Sequence, residues 1–457
     1  MIRVFSIQEY GDLALVNATI AILLALAKCG LTTSFVRHYA TSKSTNSQQL
    51  LLTTAISGSV LVSMVIVLAY SIIILLLQTT MDSSLTKILL MAGLVILIRN
   101  LGNLFTAFFR AEERVMALNV LSLVYRVGSI ATGLLLCVFI FRGLYGYLTG
   151  VILFEAFMIL FIGFTFYKEA IRNIRTTSKE LLYKLYFYGF PLVFFETSSL
   201  IHDSADRFLI KYFLDSAQVG IYSVGYNFSA YIQGFITAPL WMAVFPIYTK
   251  LWESEGKEAT EKFLTRLLKY YLIISVFLIF LVSYLSKELI IILATEKYLP
   301  AADLIPFIIS GVMISGTYHI IGAGYFLTSQ TRKIALYALI CAGTNIIVNL
   351  YFVPTYGILG AAFTAVISFI LLTLLITINA RKIITIRWPV LDVVYYLLFA
   401  GLMILVLRAI HIDNHLLDAA CKSIAGTLVY GVCILMYDGE ARRNVQQLLG
   451  LGRIATP

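Results

Sequence analysis

Residues 204–246 read SADRFLIKYFLDSAQVGIYSVGYNFSAYIQGFITAPLWMAVFP, and this stretch decides the fold class. It joins two long apolar segments. The charged residues Asp206, Arg207 and Lys211 are expected where a hydrophobic span meets a short loop, and a turn at residues 220–223 is expected to open the next span. Charge confined to such boundaries indicates segments that cross a membrane.

The composition of the whole chain agrees with this interpretation. Of 457 residues, 60% are hydrophobic and 13% are charged, whereas a soluble globular chain carries roughly 25% charged residues. The five cysteines lie in apolar segments without paired spacing, so neither disulfides nor a metal site are expected, and no cofactor motif is present. The net charge of +10 comes from basic residues scattered through short loops, which argues against a nucleic-acid partner.

Continuous apolar runs of about 20 residues predict transmembrane helices, because barrel strands would alternate over about ten residues. The sequence therefore predicts an all-α polytopic membrane protein with thirteen visible spans. They are expected at residues 13–35, 50–78, 88–109, 115–140, 145–167, 184–203, 219–246, 270–286, 303–328, 333–353, 357–379, 390–409 and 417–436.

The distribution of lysine and arginine predicts the orientation of these spans. Alternate loops, beginning with residues 36–49, hold most of the basic residues, and the tail adds Arg442, Arg443 and Arg453. Because positive charge stays on the cytoplasmic side, these loops and the C-terminus are expected to be cytoplasmic. The start, MIRVFSIQEYG, is then expected to be an extracytoplasmic loop, which suggests either a further span upstream of Met1 or a dispensable first helix.

An internal repeat relates the two halves of the chain. Residues 114–152 align with residues 332–366. The aligned pairs are Ala117 with Ala335 and, after a four-residue gap, Gly143 with Gly357 and Gly146 with Gly360; more weakly, Gly11 aligns with Gly220. Equivalent spans lie six helices apart, so both halves run in the same direction across the membrane, as in transporters that alternate access between two lobes.

The repeat predicts the domain organisation. An N-terminal lobe is expected at residues 1–169, with five visible spans, and a C-terminal lobe of six spans at residues 182–380. Two additional helices are expected within residues 388–437, followed by a cytoplasmic tail at residues 438–457.

Several short motifs give the chain a family resemblance. The Asp206-Arg207-Phe208 end of a span, the Val219-Gly220-Ile221-Tyr222-Ser223 segment after it, and the Glu9-Tyr10-Gly11 and Gly30-Leu31 to Arg37 segments resemble the polysaccharide exporter family. That family includes the O-antigen and capsule-unit flippases of the multidrug/oligosaccharidyl-lipid/polysaccharide exporter superfamily. The likeness covers nearly the whole chain, apart from a missing first helix.

The resemblance implies a fold and a function. The fold would be fourteen helices, arranged as two six-helix lobes plus two. The function would be translocation of undecaprenyl-pyrophosphate-linked sugar units across the cytoplasmic (inner) membrane, for O-antigen, capsule or other surface polysaccharide such as that of lipopolysaccharide. The partners implied are the lipid-linked oligosaccharide, membrane lipids, and a glycan polymerase with its chain-length machinery.

Two spans carry polar stripes that predict a substrate-facing surface. Residues 99, 103, 106 and 110 are spaced 4, 3 and 4, and residues 119, 122, 126 and 129 are spaced 3, 4 and 3, which places each set on one helical face. The candidate cavity residues are Arg99, Asn103, Arg110, Asn119 and Arg126. Arginine suits an anionic pyrophosphate because its planar donors bind phosphate oxygens in pairs. The alternative is that Arg99 and Arg126 form ion pairs with Glu155 or Glu196 that lock helices together.

A second set of residues is a candidate for gating or ion coupling. Its members are Glu155, Glu196, Asp203, Asp206, Arg207 and His319. Asp203 and Arg207 have the spacing of a helical ion pair. A structural role is the alternative for the residues of this set, and a lone histidine such as His319 is commonly a hydrogen-bonded core residue.

Three other functions are weighed against the flippase. The chain has no phosphate-binding GxxxxGK[ST] loop, since Gly256-Lys257 is followed by Glu258, so a nucleotide-driven motor is not expected. Its outer loops are too short for the catalytic domain of a glycan polymerase, so an enzyme is not expected. A drug exporter driven by an ion gradient would place acidic residues in the cavity, where this chain has Arg99 and Arg126. A flippase for the peptidoglycan precursor would keep the same fold with another cargo.

Overall fold

The fold is helical throughout the described parts of a computed structural model, which are residues 1–42, 45–79, 83–166, 177–328 and 330–448. The helices are α1 (Ile7–Lys28), α2 (Leu31–Thr41), α3 (Thr45–Leu77), α4 (Ser83–Ala111), α5 (Val115–Phe139), α6 (Leu144–Phe166), α7 (Lys179–Phe213), α8 (Ser216–Ser254), α9 (Gly256–Tyr284), α10 (Ser286–Leu293), α11 (Ile305–Ile321), α12 (Ala323–Leu327), α13 (Thr331–Ala380), α14 (Val390–Leu407), α15 (His415–Tyr437) and α16 (Gly439–Leu448), with a 3₁₀ helix at Glu296–Asp303. The predicted lobe end at residue 169 and the tail residues 449–457 lie outside the described residues.

The helices have the length and composition of membrane spans. Eleven helical segments of the described chain are long and apolar enough to cross a membrane, which confirms the predicted all-α polytopic class. Helix α13 has 50 residues, more than one crossing needs, and its backbone departs from helical geometry at Gly357, with φ 62° and ψ −144°. Helix α7 is more polar and is not among the eleven. The number of thirteen spans therefore stays a prediction.

The first span begins earlier than predicted. Helix α1 starts at Ile7, so Glu9, Tyr10 and Gly11 are helical and do not belong to a loop. The reason is a capping box, in which the Ser6 hydroxyl accepts a hydrogen bond from the Glu9 amide and the Glu9 carboxylate accepts one from the Ser6 amide. The span also ends earlier, because Cys29 and Gly30 both have positive φ and separate α1 from α2.

The loop predicted at residues 204–218 is also much shorter in the structure. Helix α7 continues to Phe213 and α8 begins at Ser216, so Asp206 and Arg207 are helical and buried. The predicted turn at residues 220–223 lies inside α8. Within these added turns of α7, the Arg207 guanidinium donates a hydrogen bond to the main-chain carbonyl of Asp203 at 2.6 Å.

Glycines aligned by the internal repeat have matching local geometry. Gly143 and Gly357 both have positive φ, 86° and 62° respectively. Three residues later, a Cβ added to Gly146 would lie 1.9 Å from the carbonyl oxygen of Phe141, and one added to Gly360 would lie 2.1 Å from that of Phe352. Each half therefore turns back on itself at a glycine with positive φ and then packs a second glycine against the preceding main chain.

The described chain divides into two compact units. The first unit contains Met1–Lys211 and Asp215–Gly220, and the second contains Tyr212–Leu214 and Ile221–Pro457. In the first unit, one apolar core joins α1, α3, α4 and α6, and another surrounds Phe35, Phe105 and Phe109. In the second unit, one core surrounds Tyr248, Tyr271 and Tyr325, and another packs α14 and α15 on α9. The lobe boundaries expected from the sequence stay a prediction.

Candidate functional site

A buried ion pair between α4 and α6 forms the centre of the candidate site. The Arg99 guanidinium donates from Nη2 to Glu155 Oε1 at 2.8 Å and from Nε to Glu155 Oε2 at 3.0 Å. The Ser129 hydroxyl, from α5, donates to Glu155 Oε1 at 2.9 Å. Glu155 is 1% exposed, whereas the Arg99 side chain is 31% exposed. The carboxylate is thus fully satisfied inside the protein, while part of the guanidinium remains accessible.

Asn100, the residue after Arg99 on α4, hydrogen-bonds this helix to two other helices. The Asn100 amide donates to Ser59 Oγ at 2.9 Å and to Ser63 Oγ at 2.6 Å, and it also contacts the Ala27 carbonyl at 3.3 Å. These bonds connect α4 to α3 and to the end of α1. Reasoning from the sequence missed Asn100, although Ser59 and Ser63 have the four-residue spacing of one helical face.

Arg126 is the exposed basic residue near this pair. It lies on α5, three residues before Ser129, and it forms no ion pair within the part of the chain that the structure describes. Arg99 lies twelve residues before the end of α4, and Arg126 lies eleven residues after the start of α5. At a rise of 1.5 Å per residue, both arginines are about 17–18 Å along their helices from the turn that joins them.

The other predicted cavity residues lie on the same two helices, closer to that turn. Arg110 and Asn119 are exposed, and Asn103 is half-buried. The described residues therefore place an accessible polar surface on α4 and α5, with Arg99 and Arg126 farthest from the turn. Helix α5 also exposes apolar side chains such as Leu123 and Val127.

Glu196, a candidate for coupling, belongs to a different pair. Its carboxylate accepts a hydrogen bond from the ammonium group of Lys28, at the end of α1. The Glu196 side chain is 42% exposed, so this carboxylate remains accessible. Beside this pair, Gly30 and Gly189 are in close contact: a Cβ on Gly30 would lie 2.1 Å from the Gly189 carbonyl oxygen. Sequence analysis did not identify Lys28 as the partner of Glu196.

The acidic and basic residues at the end of α7 form a further cluster in the first unit. Asp206 and Arg207 are buried and Asp203 is exposed. Nearby, the Lys211 ammonium donates to Ser216 Oγ at 2.5 Å, and the Ser216 hydroxyl donates to Asp12 Oδ1 at 2.5 Å. This chain of bonds joins α7, α8 and α1 at the position where Gly11 packs against the Ser216 carbonyl. The cluster is separate from the Arg99–Glu155 pair.

His319 lies in the second unit among aromatic side chains. Its ring centroid is 5.1 Å from that of Trp241 and 4.0 Å from that of Tyr318. Among the described side chains, no hydrogen-bond partner contacts its Nδ1. No cluster of three or more potential metal ligands occurs in the described residues.

Comparison with known proteins identifies the family. Residues 1–252 match the family described as polysaccharide biosynthesis protein, more than half of the chain. The chain belongs to the polysaccharide biosynthesis protein family. The family resemblance predicted from the sequence is thereby confirmed, and the matched region contains Arg99, Arg126 and Glu155.

Two relatives match about half of the chain. The chain is 28% identical over 253 residues to the uncharacterized membrane protein MJ1068 of Methanocaldococcus jannaschii, covering 52% of this chain and 50% of that protein. It is 24% identical over 257 residues to the probable flippase AglR of Haloferax volcanii, covering 53% of this chain and 52% of that protein. The alignments thus span about half the length of both relatives.

Solved structures share the fold of this chain. The inward closed conformation of the lipid II flippase MurJ matches 95% of this chain and 94% of its own, with a TM-score of 0.76 and 17% identity. An inward-facing multidrug resistance MATE family transporter of the MOP superfamily matches 82% of this chain and 90% of its own, with a TM-score of 0.62 and 15% identity. These likenesses show a common fold for a multi-pass membrane protein.

Proposed function

We propose that the chain is a flippase that moves lipid-linked oligosaccharide units across the cytoplasmic (inner) membrane for the synthesis of surface polysaccharide. The observation that carries the proposal is that the family match and the arginine site occupy the same part of the chain. A protein that binds a lipid-linked sugar needs cationic donors for the phosphate and a membrane-embedded surface for the lipid. The accessible face of α4 and α5 offers both.

The chemistry of the site suits a phosphate-containing headgroup. Arg126 is exposed and has no carboxylate partner among the described residues, so its five N–H donors remain available. Asn103 and Asn119 add neutral donors and acceptors, which match sugar hydroxyl groups. The family resemblance implies an undecaprenyl-pyrophosphate anchor, and O-antigen or capsule units as the sugars. No bond in the cargo is made or broken in this proposal.

The proposed transport cycle uses alternating access between the two halves related by the repeat. The matching glycine geometry at residues 143–146 and 357–360 supports a common plan for both halves. The proposal places the C-terminal tail in the cytoplasm, as the distribution of basic residues predicts. A glycan polymerase and its chain-length machinery would consume the translocated units.

Two other cargoes remain distinguishable from this one. The probable flippase name of the relative AglR supports the lipid-linked cargo, while the likeness to MurJ and MATE structures is one of fold. A cationic drug is disfavoured because Arg126 would repel it. A peptidoglycan precursor would bind the same phosphate donors, so an experiment must distinguish this cargo from a surface-polysaccharide unit.

The experiment is deletion of the gene followed by analysis of the lipid-linked sugar pools in inverted and right-side-out membrane vesicles. The proposal predicts that surface-polysaccharide intermediates accumulate on the inner leaflet and that expression of the intact chain restores their export. Unchanged polysaccharide intermediates would contradict it. Accumulation of peptidoglycan precursor instead would assign that cargo, and loss of drug resistance with unchanged lipid pools would indicate an exporter.

A further inference from the structure

Two segments of the second unit carry basic side chains beside the ends of spans. One segment joins α13 to α14, and the other is α16, which follows α15. Their exposed basic side chains, here called the basic surface, are Arg381, Lys382, Arg387, Arg442 and Arg443. The first two come directly after the last residue of α13, and the third lies three residues before α14 begins. The last two lie five and six residues after the end of α15.

Helix α9 holds the segment between α13 and α14 in place. The Thr385 amide donates a hydrogen bond to Glu261 Oε1 at 2.6 Å, and the Arg387 amide donates one to Thr265 Oγ1 at 3.3 Å. The isoleucines on either side of Thr385 are buried, whereas the side chains of Thr385 and Arg387 are exposed. The segment is therefore fixed to the core of the second unit and presents Arg387 outward.

The same part of α9 also holds α16. Arg266 Nε contacts Glu440 Oε1 at 2.7 Å, and Lys269 Nζ contacts Asp438 Oδ2 at 2.7 Å. The four residues of α9 that hold the two segments lie within about 12 Å along the helix axis and within roughly 140° of its circumference. One face at the start of α9 thus brings the two basic segments close to each other.

The charges around the start of α9 are balanced in pairs. The four ion pairs are Lys257 with Glu261, Lys262 with Glu258, Arg266 with Glu440 and Lys269 with Asp438. Each pair joins one cation to one carboxylate, so together they add no net charge.

The basic surface, in contrast, has no acidic counterpart. Among the described residues, none of its five side chains forms an ion pair. The other charged residues at this end of the spans are three acids and three bases: Glu253, Glu255, Asp392, Lys250, Arg332 and Lys333. The loops of the first unit on the same predicted side also hold more basic than acidic residues. The excess positive charge of the second unit at this end is therefore that of the basic surface.

Charge and depth together indicate the partner of this surface. All five basic residues lie within six residues of a span end, which places them at the depth of lipid headgroups. Clusters of lysine and arginine at that depth attract the phosphodiester groups of acidic lipids. Trp388, next to Arg387, is half-buried, and tryptophan is enriched at the same depth.

We propose that the basic surface binds the headgroups of acidic phospholipids in the leaflet on the side of the C-terminal tail. Each arginine can donate two N–H groups to the oxygens of one phosphate. The inference goes beyond the proposed transport function and does not depend on the cargo, because none of the five residues belongs to the candidate site on α4 and α5.

The test measures lipid binding to the full chain in micelles of a neutral detergent by native mass spectrometry. The probes are phosphatidylglycerol, which is negatively charged, and zwitterionic phosphatidylcholine with the same acyl chains. The wild-type chain should bind phosphatidylglycerol more tightly. Replacing all five residues of the basic surface by glutamine should weaken that binding on the order of tenfold or more and leave phosphatidylcholine binding unchanged. Replacing its four arginines by lysine keeps the charge and should retain the preference.

A matched pair of double variants separates the surface from charge in general. Arg442→Gln with Arg443→Gln should lower the preference for phosphatidylglycerol severalfold. Lys287→Gln with Arg408→Gln removes as many exposed charges from the opposite end of the spans of the second unit and should keep the wild-type preference. Because all four side chains are exposed, both double variants should unfold at the wild-type temperature in phosphatidylcholine.

Three results would overturn the proposal. The first is equal affinity of the wild-type chain for the two lipids, and the second is an equal loss of preference in the two double variants. The third is binding of an added polyglutamate peptide by a wild-type chain that does not distinguish the lipids, which would assign the surface to an acidic protein instead. None of these results bears on the transport proposal, which the lipid-linked sugar pools test separately.

Discussion

Glu155 holds Arg99 through two charge-assisted hydrogen bonds, of 2.8 and 3.0 Å, inside the first unit. This ion pair distinguishes Arg99 from Arg126, although the sequence analysis named both as candidate cavity residues. Arg99 is tied to a buried acid and joins α4 to α6, and through Ser129 the same acid is joined to α5. Arg126 remains accessible. Arg99 therefore also has a structural role, and Arg126 is the arginine more accessible to a ligand.

The Arg99–Glu155 pair predicts a strongly non-additive effect on stability. Arg99→Ala leaves a buried carboxylate unpaired and should lower the free energy of unfolding by about 3–5 kcal/mol. The double variant Arg99→Met with Glu155→Met should lose much less, because no buried charge is left unpaired. Thermal unfolding in detergent is measured for the wild-type chain, each single variant and the double variant. Additive losses would show that the pair is not coupled.

Arg126 should matter for transport and little for folding. Arg126→Ala removes a charged donor to the phosphate and should reduce flipping on the order of tenfold or more, while the amount of protein in the membrane stays the same because Arg126 is exposed. Arg142→Ala is the matched control, since Arg142 is also exposed but lies in the turn between α5 and α6. Equal activity of the two variants would exclude Arg126 from the site.

The glycines of the repeat should be equally intolerant of a side chain. Gly146→Ala and Gly360→Ala would each place a Cβ within 1.9 and 2.1 Å of a main-chain oxygen, so the main chain must shift. Each should lose roughly 1–3 kcal/mol of unfolding free energy. Gly343→Ala is the control, because nothing lies within 4 Å of its Cβ position and alanine favours the helix. A large difference between Gly146→Ala and Gly360→Ala would contradict the shared geometry.

The tail helix α16 should detach at low pH. Asp438 precedes α16, and its carboxylate contacts Lys269 Nζ at 2.7 Å and accepts a hydrogen bond from the Glu440 amide at 3.0 Å. Burial, the largest single influence, would raise the pKa of Asp438, but the Lys269 ammonium and the hydrogen bonds from the Ala441 and Glu440 amides together hold the pKa below its ordinary value of 3.8. Its stabilising contribution is therefore complete above pH 3.8 and is lost as the pH falls through the lower folded-state pKa.

Hydrogen exchange of residues 439–448 tests this expectation. Wild-type protein should protect these amides at neutral pH and lose that protection, after correction for intrinsic exchange, below about pH 4. Asp438→Asn should lack it already at neutral pH. Glu258→Gln, which removes an exposed carboxylate elsewhere, serves as the control. Full protection in Asp438→Asn would refute the anchoring role.

Composition and periodicity were sufficient to predict the class of fold. Long apolar runs predicted membrane helices. The repeat aligned Gly143 with Gly357, and both residues have positive φ. Helix ends were predicted less well. Hydropathy does not detect a capping box such as that of Ser6 and Glu9, nor a buried arginine such as Arg207 whose guanidinium donates to a carbonyl of its own helix.

The ion-pair partners at the site could not be predicted from the sequence, because they lie far apart in the chain. Spacing placed Arg99 and Arg126 on helical faces, but it could not choose between Glu155 and Glu196 as a partner. Which acid pairs with Arg99 depends on how α4, α5 and α6 pack, and on Lys28, which forms an ion pair with Glu196. Such contacts join residues more than 50 positions apart, and no local pattern encodes them.

The most direct test of the account is flipping by the purified full chain in liposomes that contain a fluorescent polyprenyl-linked sugar in both leaflets. Dithionite added outside bleaches the lipid of the outer leaflet at once and the remainder only if it is flipped. The account predicts that wild-type protein and Arg142→Ala bleach the inner-leaflet signal at the same rate, whereas Arg126→Ala does so more slowly, by on the order of tenfold or more. A wild-type bleaching rate with Arg126→Ala, or no bleaching beyond the outer leaflet with the wild-type chain, would contradict it.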